Sequence, residues 1–103
     1  MMSQESTWSL KPTAAHRLVG GEYFVVTGDR AFHHIHVPSA VTLFRELTAG
    51  PCTSGALVSA LVHEFDVAED VAAQDVQVFV ATLVDRQLAV PAGEVERRGG
   101  GPT

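Results

Sequence analysis

The chain has 103 residues, of which 46% are hydrophobic, and it carries a formal net charge of −5. This length provides for one domain with one small core, and the apolar fraction excludes a disordered protein. Lys and Arg total seven and form no block except the pair Arg97-Arg98. The sequence therefore does not show the concentrated basic face that binding to nucleic-acid phosphates requires.

Three features of the sequence indicate the cellular location of the protein and whether it contains a disulfide. Cys52 is the only cysteine, so an internal disulfide is excluded. No apolar run approaches the ~20 residues that cross a bilayer. The N-terminal residues lack the basic and apolar regions of a secretory signal. We expect a cytoplasmic protein that does not associate with a membrane.

Residues 1–13 are polar and end in Lys11-Pro12, which predicts a flexible N-terminal arm. Trp8 is the exception in this segment. We expect Trp8 to cap the edge of the core, because a Trp side chain buries a large area even from an arm. An exposed contact for a partner is the alternative.

Three short strands are predicted next, at Ala15–Val19, 22–27 and 30–37. Gly20-Gly21 is a turn signal between the first two. Gly28-Asp29 predicts a two-residue turn between the second and third, because Gly accepts a positive φ. Side chains alternate between the two faces of the third strand. We expect one face to lie towards the core, formed by Ala31, His33, Ile35 and Val37. The opposite face consists of Phe32, His34 and His36.

Three helices follow the strands. Ser39 is the expected N-cap of the first, which Gly50-Pro51 ends, and Thr53 or Ser54 is the expected N-cap of the second. The third is predicted over residues 69–86. Its apolar stripe consists of Ala72, Val76, Phe79, Val80 and Leu83. Residues 88–90 form a short apolar exit that we expect to pack on the core, and residues 91–103 are predicted to be a flexible tail.

A second face of the third helix is also partly apolar. Val71, Val78 and Thr82, with Asp75 between them, lie about 120° from the main stripe. Either these residues widen the contact with the core, or they line a groove. The two interpretations differ in whether the side chains are exposed.

Catalytic and metal-binding patterns are weak. His34 and His36 share a face of the third strand and would need a third ligand, such as His63 or Glu64, to hold a metal. Polar residues on a half-exposed edge strand are the simpler interpretation. Cys52 has no surrounding oxyanion loop, so a nucleophilic role is not supported. We expect no catalytic residue, no metal site and no cofactor.

The order of these segments resembles the PqqD family, the peptide chaperones of pyrroloquinoline quinone biosynthesis and their relatives, also called RiPP recognition elements. The resemblance covers roughly residues 15–90 and rests on HIHVPSAVTLFRELTAG, CTSGALVSALVHEFDV and EDVAAQDVQVFVATLVDRQLAV. The family ends its third strand in Leu-Asn, whereas this chain has Val37-Pro38. A Phe65-Asp66-Val67 segment stands where the family has Tyr-Asp-Val.

The resemblance implies an α+β, winged-helix-like fold of three antiparallel strands followed by three helices, here within residues 14–90. Family members are not enzymes and need no cofactor. They bind the leader of a ribosomally made precursor peptide and present it to a modifying enzyme, often a radical SAM protein. The leader adds as a strand to the edge of the third strand and lies against the third helix.

Carried over to this chain, the resemblance implies a peptide-binding site on two elements. The strand edge would consist of Arg30, Ala31, Phe32, His33, His34, Ile35 and His36. The helix wall would consist of Val71, Asp75, Val78, Phe79 and Thr82.

Our leading hypothesis is a stand-alone adaptor that captures a leader peptide. One alternative is a protein–protein interaction module, because a free strand edge also permits pairing into a homodimer. Another is a winged-helix DNA-binding regulator. The charge of the third helix argues against this regulator, since it carries Glu69, Asp70, Asp75 and Asp85 against Arg86 alone.

Overall fold

The computed structural model describes residues 6–92. Within them the chain forms two three-stranded sheets and three helices. In chain order the elements are β1 (Thr7–Leu10), β2 (Ala15–Val19), β3 (Glu22–Val26), β4 (Phe32–Ile35), α1 (Pro38–Thr48), β5 (Cys52–Thr53), α2 (Ser54–Phe65), α3 (Glu69–Asp85) and β6 (Ala89–Pro91). None of these helices has the length and apolar character needed to cross a lipid bilayer.

The sheet β2-β3-β4 contains the three predicted antiparallel strands. Gly20 and Gly21 join β2 to β3 with φ values of 60° and 80°. Positive φ at both central residues is the geometry of a type I′ turn, which matches the twist of a two-residue hairpin. The turn signal in the sequence therefore predicted this hairpin correctly.

The turn between β3 and β4 differs from the prediction. Arg30, not Gly28, adopts the left-handed conformation, with φ of 70°. Thr27 N–H donates to Ala31 O at 3.0 Å, and Arg30 N–H donates to Thr27 O at 2.8 Å. This pattern is a three-residue loop, in which a tight turn is followed by one left-handed residue. Arg30 accordingly belongs to the turn, Ala31 lies opposite Thr27 at its end, and β4 itself begins only at Phe32.

The second sheet, in the order β5-β1-β6, was not predicted. Trp8 pairs with Cys52 on one side and with Pro91 on the other. The prediction of a flexible arm over residues 1–13 is therefore wrong for Thr7–Leu10, and Pro91 belongs to a strand rather than to the tail. Residues 1–5 and 93–103, which complete the predicted arm and tail, lie outside the described residues.

Trp8 itself is half-buried and packs against the core, as expected, and its indole Nε1–H donates to Ser54 Oγ at 3.2 Å. The same strand pairing places Cys52 in β5 rather than in a loop. The pairing of β1 with Cys52 and Pro91 joins residues far apart in sequence, and no local pattern indicates it.

The starts of the helices follow the chemistry of their first residues. Pro38 occupies the first turn of α1, and Val37 is the N-cap without a side-chain hydrogen bond. The prediction of Ser39 as N-cap is wrong, because Pro is itself favoured at the first helical position, where its missing N–H costs nothing. Thr53 caps α2 as predicted, since its hydroxyl accepts from Ala56 N–H at 3.0 Å.

The core lies between the helices and the inner face of the β2-β3-β4 sheet. Tyr23 of β3 packs against Phe44 of α1 with ring centroids 4.8 Å apart. The main stripe of α3 is buried as predicted, with Phe79 only partly so. Leu88 is 1% exposed and Ala89 is 2% exposed, which confirms that the apolar exit packs back on the core.

Candidate functional site

Strand β4 has a free edge. It is the last strand in the order β2-β3-β4 and pairs with no other strand among residues 6–92. Residue pairs in an antiparallel ladder alternate between hydrogen-bonded and non-hydrogen-bonded. Because Thr27 and Ala31 form a hydrogen-bonded pair, the register makes Val25–His33 and Tyr23–Ile35 hydrogen-bonded pairs as well. His33 and Ile35 therefore direct their main-chain groups towards β3. Phe32 and His34 direct theirs towards the open edge.

A groove runs along this edge between β4 and α3. It consists of a cavity of about 200 Å³ and a second cavity of about 330 Å³ that share Val37, Ala40, Phe79 and Thr82. We call this joined space the β4–α3 groove. The first cavity is also lined by His33, His34, Ile35, His36, Leu83, Arg86 and Leu88, and the second by Ser39, Leu43, Asp75 and Val78.

The groove brings together eight of the twelve site residues proposed from the sequence. These are His33, His34, Ile35, His36, Asp75, Val78, Phe79 and Thr82. Four others line neither cavity. Arg30 and Ala31 precede the start of β4, Phe32 projects into solvent with 81% exposure, and Val71 lies one helical turn before Asp75.

The second face of α3 is open to solvent. Val71 is 49% exposed and Val78 is 61% exposed. The interpretation that these residues widen the core contact is therefore wrong, and Val78 instead lines the groove. Val37, predicted to face the core, is 52% exposed because β4 ends at Ile35 and Val37 becomes the N-cap of α1.

Several residues of the groove were not predicted from the sequence. Arg86 could have been found, since it follows Thr82 by four residues and so continues the same helix face. Ala40, Ser39 and Leu43 come from α1, and Leu88 comes from the segment after α3. No periodicity in the sequence indicates that these segments meet β4.

The three histidines of this region have different surroundings. His34 stacks on Phe24 with ring centroids 4.6 Å apart and an interplanar angle of 9°. Its Nε2 lies 2.7 Å from Glu22 Oε1, and its ring lies 4.6 Å from that of His36. Both partners of the His34–Glu22 pair are well exposed, so the pair orients the ring but contributes little stability. The Nε2 atom of His33 is buried and has no hydrogen-bond partner in the described part of the chain.

The metal-binding and nucleophilic patterns considered in the sequence can be compared with the structure. Across residues 6–92, no three His, Cys, Asp or Glu side chains come close enough together to hold a metal ion. The Cys52 thiol donates to Glu46 O at 3.3 Å. Burial, and secondarily the charge of Glu46, raises the pKa of this thiol. An activated nucleophile shows the opposite shift.

A larger cavity, of about 690 Å³, lies on the other side of α3. Its walls come from β1, α2 and α3: Trp8, Ser54, Val58, Ala73, Val76, Gln77, Val80, Ala81, Val84 and Asp85. Strand β1 is paired on both sides, so this cavity has no strand edge to which a peptide could add. Within residues 6–92, the β4–α3 groove combines a free strand edge with side-chain pockets.

Comparisons with known proteins agree with this geometry. Two solved structures have the same fold: TbiB1 in complex with the TbiA(beta) leader peptide, and lasso peptide synthetase B1 complexed with the leader peptide. The first has 13% identity and a TM-score of 0.73 over 79% of this chain and 93% of that chain. The second has 18% identity and a TM-score of 0.69 over 82% and 98%. The expected α+β fold, three antiparallel strands followed by three helices, is confirmed.

The sequence itself gives a family assignment. No curated protein matches it. The family model described as "Coenzyme PQQ synthesis protein D (PqqD)" matches residues 38–89, which is just over half of the chain and includes all three helices. This chain belongs to the PqqD family.

Proposed function

We propose that this protein is an adaptor that binds the leader segment of a ribosomally made precursor peptide and presents it to a separate modifying enzyme. The observation that carries the proposal is the free edge of β4 beside an apolar groove. A peptide that adds to a sheet edge gains affinity from main-chain hydrogen bonds and specificity from side-chain pockets. The two similar structures both contain leader peptides.

In this proposal, strand β4 and helix α3 have different roles in binding the peptide. Phe32 and His34 offer main-chain groups to an added strand, whose alternate side chains would then face α3. Phe79 and Leu83 supply apolar surface, and Thr82 supplies a hydroxyl. One added strand with a few filled pockets is compatible with a micromolar dissociation constant, about −8 kcal/mol.

The proposal assigns no reaction to this chain. The chemistry would be carried out by the partner enzyme, for which the family resemblance suggests the radical SAM class. We place the complex in the cytoplasm, where the precursor is synthesised.

The test begins with a search of the reading frames beside the gene for a short precursor-like peptide. Its synthetic leader is then titrated into isotope-labelled protein. We expect chemical-shift changes along residues 30–36 and on the 71–82 face of α3. The amides of Phe32 and His34 should exchange rapidly in the free protein and become protected in the complex. A scrambled peptide of the same composition is the control. If the leader leaves β4 and α3 unperturbed, the proposal is wrong.

Self-association is the second candidate, because the same free edge could pair with β4 of another copy. Sedimentation of the free protein distinguishes the two. A stable dimer in which the Phe32 and His34 amides are already protected would favour the interaction module. A monomer that binds the leader would favour the adaptor.

A further inference from the structure

The two ends of the β4–α3 groove differ in charge. Asp75 lines the cavity near the start of α1, whereas Arg86 lines the cavity that contains His33. Between them lie the apolar side chains of Ile35, Phe79 and Leu83, with the hydroxyl of Thr82 beside them. A ligand that fills the groove therefore meets a carboxylate at one end and a guanidinium at the other.

The basic end has unused hydrogen-bond capacity. Arg86 is exposed, and the one ion pair within residues 6–92 joins His34 to Glu22 rather than involving Arg86. His33 Nε2 is buried without a partner. An unpaired polar atom that is buried costs free energy. A ligand recovers this cost when the His33 ring, which lines the same cavity as Arg86, turns Nε2 towards it.

We infer that the bound peptide places an Asp or Glu side chain against Arg86 and His33, with apolar side chains in the middle of the groove. This inference rests on the proposed function and names the chemistry of its ligand. A guanidinium can only donate hydrogen bonds, and the Nε2–H tautomer of His33 also donates. A carboxylate is the side-chain group that accepts from both while neutralising the charge of Arg86.

The net charge of the protein does not by itself favour an acidic ligand. With a net charge of −5, the molecule as a whole repels acidic peptides. A preference for an acidic residue at one position of the ligand must therefore come from local groups. Asp75 at the opposite end disfavours a second acidic residue there, so the groove also sets the direction of the peptide.

The experiment is a selection from a displayed library of random linear peptides on the full chain. We expect the enriched peptides to share an Asp or Glu at one fixed distance from an apolar pair. With Arg86→Glu, Lys or Arg should be enriched at that position instead. Arg45→Glu is the matched control, since Arg45 is exposed on α1, lines neither cavity of the groove and gives the same change of charge. That variant should keep the acidic preference.

Binding measurements on one enriched peptide make the test quantitative. Replacing its acidic residue by Lys should weaken binding to the native protein by about tenfold, which corresponds to 1.4 kcal/mol. Arg86→Glu should recover most of this loss. Arg86→Gln removes the charge without reversing it and serves as a second variant if Arg86→Glu is unstable by circular dichroism. His33→Phe keeps an aromatic ring but removes the Nε2 donor, and it should reduce discrimination between Glu and Gln in the peptide.

The outcomes separate this inference from the function on which it rests. Enriched peptides that perturb the amides of β4 but show no acidic preference, or that prefer a hydroxyl at this position, would overturn the inference and leave the adaptor function intact. Enriched peptides that all bind away from β4 would overturn both.

Discussion

A proline at position 34 should weaken peptide binding more than it weakens the fold. His34 pairs with Phe24 at a non-bonded position of the ladder, so its N–H points to the open edge and not to β3. Proline is tolerated on a strand edge where the N–H faces solvent. His34→Pro therefore removes one donor from the edge and leaves the bonds between β3 and β4 in place.

The magnitude follows from one lost main-chain hydrogen bond. Such a bond contributes about 1 kcal/mol net, and a carbonyl of the peptide that is left unsatisfied adds to the loss. We expect His34→Pro to bind the leader about 5- to 10-fold more weakly than His34→Ala does. His34→Ala is the matched variant, because it also loses the stacking on Phe24 and the contact with Glu22 but keeps its N–H.

The assay is calorimetric titration of each variant with the synthetic leader, together with urea unfolding. His33→Pro is the orientation control, since its N–H points to β3 and its loss should lower stability. If His34→Pro is itself too unstable, the pair Phe32→Pro and Phe32→Ala repeats the comparison at the other outward position. Equal affinities of His34→Pro and His34→Ala, with both variants folded, would refute strand addition at this edge.

Three further predictions concern stability and reactivity. Trp8→Ala should lower the free energy of unfolding, measured in urea, by about 2–4 kcal/mol, because a half-buried ring is removed from the core. Trp8→Phe should lower it less. An unchanged free energy of unfolding would contradict the packing of β1 against the core. Asp66→Gly should raise the unfolding free energy by up to about 1 kcal/mol, because Asp66 caps α2 with φ of 55°, whereas Asp70→Gly, within α3, should lower it. Cys52 should react with iodoacetamide more slowly than free cysteine at the same pH. Because the pKa of the Cys52 thiol is raised in the folded state, the contribution of Cys52 to stability is fully present below the pKa of the unfolded chain. That contribution is lost as pH rises through the folded-state pKa. Alkylation as fast as that of free cysteine would contradict the raised pKa.

Local patterns in the sequence were sufficient for the elements that carry most of the fold. The Gly20-Gly21 hairpin, the Thr53 cap and the buried stripe of α3 depend on backbone geometry within a few residues. The two faces of α3 follow from the 3.6-residue period, and the alternation of Phe32 to Ile35 follows from the two-residue period of a strand. These periods are properties of the chain itself, so they can be recognised without a partner.

Tertiary structure decided what lies opposite each of those faces. The β5-β1-β6 sheet joins residues far apart in sequence, and no local pattern indicates which of them pair. In the same way, Val37 became exposed only because α1 begins beside it, and Arg86 lines the same cavity as His33 only because α3 lies along β4. The sequence determined which faces are apolar and which strand has the alternation of an edge. Long-range packing determined that one of those faces lies beside that edge and forms a groove.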